Sequence, residues 1–297
     1  MGCQHSCPEE RTPILPTELL RQWMVGVDLI TLHVVAKVDR RLREAVKDTL
    51  RLRIERALAI FVPSEHMSEF FAILTSSESV VAGSVAQAVL TPSIFANDTP
   101  NDLNIFVKVG CLNAWATYTF DLGYVDREDM RPTDNNVVSV VSFRKRVGDS
   151  ARTQTIMICE GQGFTSITPV FGSSLTSQMN FFNESNIYCL QPDVTLNLKT
   201  IRLTGSGDGL YQSDAFLQAR GIKVVDVSEE IKLCQEGKLC RKLERGLGVR
   251  LRGRVALPAD AVVVQSWSND NDTESFLEKS RIAFSLRGSC RNKDCGK

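Results

Sequence analysis

Apolar residues between Ile14 and Phe61 recur at helical spacing. Leu29, Leu32, Val35, Ala36 and Leu42 mark one face, and Leu50, Ile54, Leu58 and Phe61 continue it in steps of three and four. Leu15-Pro16-Thr17 opens this stretch with Thr17 as candidate N-cap, and Pro63 ends it. Residues 67–74 predict a short helix with Phe70, Phe71 and Leu74 inward. The period then changes. Val80-Val81-Ala82 reads as strand, Gly83-Ser84 as turn, 85–90 as helix, 91–100 as loop and 103–109 as strand. Residues 111–122 are mixed, with a helix carrying Trp115. Two β-branched runs, 136–144 and 153–160, flank a Gly148-Asp149 turn and predict a hairpin. A helix is expected over 171–182, a flexible loop over 204–209 and a short helix over 214–220 stopped by Gly221. The pattern as a whole is α+β: a helical N-terminal module, then a mixed sheet with flanking helices.

Composition narrows the classes. The chain has 297 residues, 43% of them hydrophobic, enough for a real core. Lys+Arg and Asp+Glu are both 35, a balance that argues against a dedicated nucleic-acid binder. The basic stretch from Arg241 to Arg254 reads first as a solvated face. Nine scattered cysteines without a leading apolar segment point to a reduced cytoplasmic or nuclear setting. The spacings Cys234-x5-Cys240 and Cys290-x4-Cys295 miss the zinc hook, and thiols are the default. Met1-Gly2-Cys3-Gln4-His5-Ser6 fits the N-myristoylation pattern, with Gly2 the acceptor and Cys3 a site for a second acyl chain. One chain anchors only marginally, so membrane contact would need both.

The chemistry-bearing residues are Gly83, Ser84, Asp102 and Asn104. A Gly-Ser turn into a helix, followed by a strand bearing Asp102-Leu103-Asn104-Ile105-Phe106, resembles the active-site frame of a nucleotidyltransferase. In that frame the Gly-Ser turn holds the substrate triphosphate. The strand presents Asp-x-Asp, two carboxylates on one face, to Mg²⁺. Here Gly83 and Ser84 would hold phosphate, Asp102 and Asn104 would hold metal, and Glu160 is the acidic residue left for a third carboxylate. Asn104 is neutral, and Met157 at the centre of the third strand binds no hard cation. No cofactor is therefore expected, with Mg²⁺ and a nucleoside triphosphate as the pair required if the pocket works. The plainer alternative is a buried strand on which Asp102 caps a turn.

Two further resemblances concern partners. Leu15-Pro16-x-Glu18-Leu19-Leu20, Leu29-Ile30-Thr31-Leu32 and Val38-Asp39-Arg40-Arg41-Leu42-Arg43 resemble an F-box over residues 14–55. That resemblance implies docking on a ubiquitin-ligase adaptor through Leu15, Pro16, Leu19, Leu20 and Leu32. The alternative is a helical cap on the next domain. Val81-Ala82-Gly83-Ser84, residues 100–107, Gln178-Met179-Asn180-Phe181 and Gln218-Ala219-Arg220-Gly221 resemble a family of uncharacterised fungal, basidiomycete-type proteins. These join an F-box-like start to a degenerate nucleotidyltransferase-like domain. The expected organisation is a disordered tail (1–13), an F-box-like module (14–62), a nucleotidyltransferase-like domain (63–225) and a basic extension (226–297). The leading function is a non-catalytic binding protein, a pseudo-nucleotidyltransferase. An active metal-dependent nucleotidyltransferase and a lipid-anchored scaffold are the alternatives.

Overall fold

The computed structural model describes residues 16–95, 99–132, 136–148, 153–163, 165–202 and 214–225, and the backbone of 245–246, 255–256, 263–266 and 283–284. The expected tail, Gly2, Cys3 and Leu15, the loop at 204–209, the thiols beyond 226 and, apart from the backbone of 245–246, the basic stretch lie outside the described residues.

Three helices open the described chain: α1 (Thr17–Met24), α2 (Leu29–Val35) and α3 (Arg40–Leu58). The side chain of Asp28 accepts from the Thr31 amide at 2.9 Å and caps α2, and Asp39 accepts from Leu42 N at 2.7 Å and caps α3. The expected cap of α1 is corrected: Thr17 is its first helical residue, and Pro16 stands at the cap without a side-chain bond. Pro16 can start the helix because its missing N–H is one of the donors a first turn leaves unpaired. Helix α4 (Met67–Ser76) follows a 3-10 turn at Ser64–His66.

Then come β1 (Val80–Ala82), α5 (Ser84–Leu90), β2 (Asp102–Val107), α6 (Leu112–Asp121), β3 (Asp126–Met130), β4 (Val137–Arg146) and β5 (Thr153–Gly161). The chain closes with β6 (Phe181–Phe182), β7 (Asn186–Cys189), α7 (Pro192–Thr195), β8 (Lys199–Ile201), α8 (Asp214–Ala219) and β9 (Lys223–Val225). Strands order as β7-β6-β1-β2-β5-β4-β3 in one mixed sheet, and residues Val263–Ser266 add an antiparallel strand beyond β7. Only β2 and β5 run parallel within the seven; β4 and β5 form the expected hairpin. Strands β8 and β9 make a separate parallel pair.

Two expectations are corrected. Residues 171–182 form 3-10 turns at Pro169–Gly172 and Thr176–Gln178 and then β6, not a helix. Strand β3 was not foreseen, because Asp126-Arg127-Glu128-Asp129 is polar and mostly exposed at the sheet edge.

The core settles the relation of the N-terminal helices to the sheet. A single apolar cluster runs from Met24, Leu29 and Leu32 through Leu50 and Ile54 to Leu103, Ile105, Ile156 and Ile158. Within it Phe70 meets Trp115 edge-on at 5.3 Å between ring centroids. The indole of Trp115 donates to the hydroxyls of Ser77 and Ser79 at 3.1 and 3.0 Å. Arg53, buried on α3, donates to the carbonyls of Met24 at 2.6 Å, Val27, and Val89 at 3.4 Å. It ties the end of α1 and the loop after it to α5. Burial pushes its guanidinium down to about 10, and the charge of Asp28 acts in the other direction. Among the described residues the N-terminal helices thus share one apolar core with the sheet.

Candidate functional site

Strand β2 alternates cleanly. Leu103, Ile105 and Val107 enter the core, and Asp102, Asn104 and Phe106 occupy the other face, half-buried. Antiparallel pairing sets Ala82 of β1 opposite Asn104, which brings the Gly83-Ser84 turn to the head of β2. Gly83 has φ +73° and ψ −143°, a conformation close to one that only glycine adopts easily. A Cβ there would lie 2.8 Å from Asn104 Nδ2. Glycine is required by the turn and by the side chain behind it.

Three side chains converge as the sequence predicts: Ser84, Asp102 and Asn104. The Ser84 hydroxyl donates to Asp102, lying 3.1 Å from both its backbone carbonyl and Oδ1. Asn104 Nδ2 donates to Asp102 Oδ2 at 2.7 Å. Each carboxylate oxygen therefore already accepts a bond from a neighbour. Asn104 acts towards Asp102 as a donor, the role a second carboxylate could not fill without a proton.

Glu160 is not brought to this cluster, which corrects the expected third carboxylate. In the β2–β5 register Asp102 stands opposite Thr155 and Asn104 opposite Met157, whereas Glu160 stands opposite Val107. Five residues of strand put it roughly 16 Å along β5 from the Asp102 level, on the opposite face of the sheet. Its Oε1 instead accepts from the Gly110 amide at 2.7 Å and pins the loop into α6. Among the described residues no group of three His, Cys, Asp or Glu side chains is placed to share a metal ion. Of the described donors near Asp102, Thr155 and the Met157 thioether add no negative charge, so the described donor set does not fit a Mg²⁺ pair. Cys159 shares the Asp102 face; burial, and secondarily the Asp102 charge, push its thiol up to about 12.

Beside the cluster lies a cleft with about 290 Å³ of empty space, open solvent included. It takes its walls from Gly83, Ser84, Gln178 and Arg220 among others. Three sequence stretches singled out above, spread over more than 130 residues of chain, thus meet at one place. Gln178 and Arg220 were not read as site residues, although both lie in those stretches. Phe95, which also lines the cleft, carried no signal in the sequence.

The expected partner face is partly revised. Leu32 is fully buried in the core and cannot dock on anything; Leu20 is half-buried against it, and Leu19 and Pro16 are exposed. The exposed large apolar side chains of this region are Leu19 and Trp23 on α1, Ile30 and Val34 on α2, and Val38 after it, each 42% to 67% accessible. Trp23, Ile30, Val34 and Val38 were missed because the apolar stripe was read as one surface, and two short helices carry two.

No protein-family model matches the chain, and no curated protein matches it. Among the described residues no helix is long and apolar enough to cross a membrane.

Proposed function

We propose that this chain is a non-catalytic interaction protein. Its N-terminal helices hold a protein partner, and its sheet domain is a nucleotidyltransferase-like frame that has lost metal chemistry. The observation that carries the reading is the pair of outward apolar ladders, Leu19/Trp23 on α1 and Ile30/Val34 on α2, each at i, i+4 spacing. Such side chains on adjacent helices are the buried anchors of protein interfaces, Trp above all. With the F-box resemblance of residues 14–55, the partner is the adaptor subunit of a ubiquitin ligase. The order β1, Gly-Ser turn, α5, β2 and the parallel β2–β5 pair support the nucleotidyltransferase-like frame and the likeness to the fungal family. The tied Asp102 carboxylate supports loss of activity.

The test is size-exclusion chromatography of the full chain with purified adaptor. Co-elution is expected for the wild type and lost in Trp23→Glu and Val34→Glu, whose melting points stay near wild type because both sites are exposed. Failure to co-elute, or co-elution untouched by either change, would rule out this partner face. The catalytic alternative keeps one supporting observation, Ser84 beside Asp102. It predicts metal-dependent nucleotidyl transfer that rises in Asn104→Asp and vanishes in Asp102→Ala.

A further inference from the structure

We infer that the β7 edge of the sheet is an acceptor site for an extended segment of a protein partner, and that Val263–Ser266 occupies it as a stand-in from within the chain. The inference goes beyond the partner-face reading and does not depend on it. The two ends of the sheet are protected in different ways. At one end Asp126, Arg127, Glu128 and Asp129 put exposed charges on β3, which deters a further strand. At the other end Asn186, Ile187, Tyr188 and Cys189 are buried and uncharged, and a strand is added. It runs antiparallel, with Val263 opposite Cys189, Val264 opposite Tyr188, Gln265 opposite Ile187 and Ser266 opposite Asn186. An uncharged edge is a template for any extended segment, and the segment that takes it here comes from the far part of the chain, beyond β9.

The added strand is weakly held. It is four residues long, and among the described residues it pairs on one side only. The other described residues of its region, Arg245–Gly246, Val255–Ala256 and Ala283–Phe284, pair with one another in a small separate sheet. A short edge strand with few neighbours opens at low free energy while the core stays folded. Its composition also falls short of the best occupant. Val263 and Val264 favour a strand, whereas Gln265 and Ser266, opposite Ile187 and Asn186, are neither β-branched nor aromatic. The segment that fits best runs antiparallel to β7, carries no charge and is β-branched at all four positions. Main-chain hydrogen bonds supply its affinity and the side chains its selection. A second copy of this chain offers only the same Val-Val-Gln-Ser strand without the tether, so exchange between copies gains nothing at this edge.

The experiment is fluorescence anisotropy of labelled peptides titrated with the full chain. One peptide copies residues 261–268, and a second is the same peptide with Gln265→Val and Ser266→Thr. Alternate residues of an antiparallel strand turn their N–H groups to the neighbour, so of Val264→Pro and Gln265→Pro in the full chain one removes a bond to β7. That variant should bind both peptides about tenfold more tightly than the wild type does, because the fraction of chains with an open edge rises. The second peptide should bind more tightly than the first. Hydrogen exchange read by mass spectrometry should show residues 186–189 less protected in the same variant and protected again with peptide. Both proline variants should keep a cooperative melt, and its loss in both would make the strand essential to the fold and overturn the inference. Peptides that bind no form, that bind the wild type and both variants alike, or that leave residues 186–189 unprotected would overturn it as well. A wild type that dimerises on size-exclusion chromatography while the proline variants stay monomeric would overturn the choice of occupant in favour of a second copy. Trp23→Glu should leave peptide binding unchanged, so failure here leaves the partner-face reading standing.

Discussion

Replacing Asn104 by aspartate should destabilise the protein in a way that a divalent cation reverses. In the native site Asn104 Nδ2 donates to Asp102 Oδ2 at 2.7 Å. Asn104→Asp deletes a hydrogen bond to a charged acceptor, which contributes about 1.5–3 kcal/mol. It also sets two carboxylates about 4 Å apart, a repulsion of ~4 kcal/mol at an effective dielectric of 20. Both residues are half-exposed, and screening reduces that figure to about half or less. The expected total is about 3 kcal/mol, a fall of roughly 6–12 °C in melting point for a domain of this size. Asn104→Ala loses only the bond and should fall by about half as much. Millimolar Mg²⁺ should restore part of the loss in Asn104→Asp alone, because a cation between the carboxylates converts repulsion into ligation. Differential scanning fluorimetry of the three proteins, in EDTA and in Mg²⁺, reads all of this. An Asn104→Asp protein that melts with the wild type in EDTA would show that the Asn104–Asp102 bond contributes nothing. A wild type raised by Mg²⁺ as much as the variant would show that the cation effect does not depend on the second carboxylate.

Gly83→Ala should cost about 1–3 kcal/mol from backbone strain alone, with an added clash at Asn104 Nδ2, measurable by urea unfolding. Arg53→Leu leaves the Val27 carbonyl without its donor and the Met24 carbonyl with the Val27 amide alone, at about 1–3 kcal/mol in all, and should lower the urea midpoint accordingly. A chain starting at residue 63 lacks one wall of the core and should show no cooperative melt by circular dichroism; a cooperative melt would restore the separate-module reading. With its thiol raised to about 12 and buried, Cys159 should be alkylated by iodoacetamide at pH 8 far more slowly than half-buried Cys111, read by peptide mass spectrometry.

The sequence made the local elements near the site legible because the period changes sharply there. Val80-Val81-Ala82, the Gly83-Ser84 turn and the alternation Leu103, Ile105, Val107 each admit one reading, and the structure follows them. The convergence of Ser84, Asp102 and Asn104 follows from side chains two apart sharing a face. What failed was non-local. Glu160 looked available because it is acidic and lies on the neighbouring strand. Which face it takes depends on a parallel register that no local pattern encodes, and a one-residue difference changes the face. Arg220 and Gln178 reach the cleft through elements far apart in sequence, so chemistry alone could not pair them. In α1 and α2 both faces carry apolar residues, and only packing on α3 decides that Leu29 and Leu32 go in while Ile30 and Val34 stay out. Residues 171–182 are apolar enough for a helix, but their backbone is spent on 3-10 turns and on pairing β6 with β1 and β7.

The proposed function rests on an Asp102 that is held by Ser84 and Asn104 and serves no metal. The most direct measurement is a Mn²⁺ titration of the wild-type protein followed by electron paramagnetic resonance, with Asp102→Ala alongside. The free-ion signal should grow identically for both proteins, with no stoichiometric loss to the wild type. A signal depleted by the wild type at one or two ions per chain, and recovered in Asp102→Ala, would contradict it.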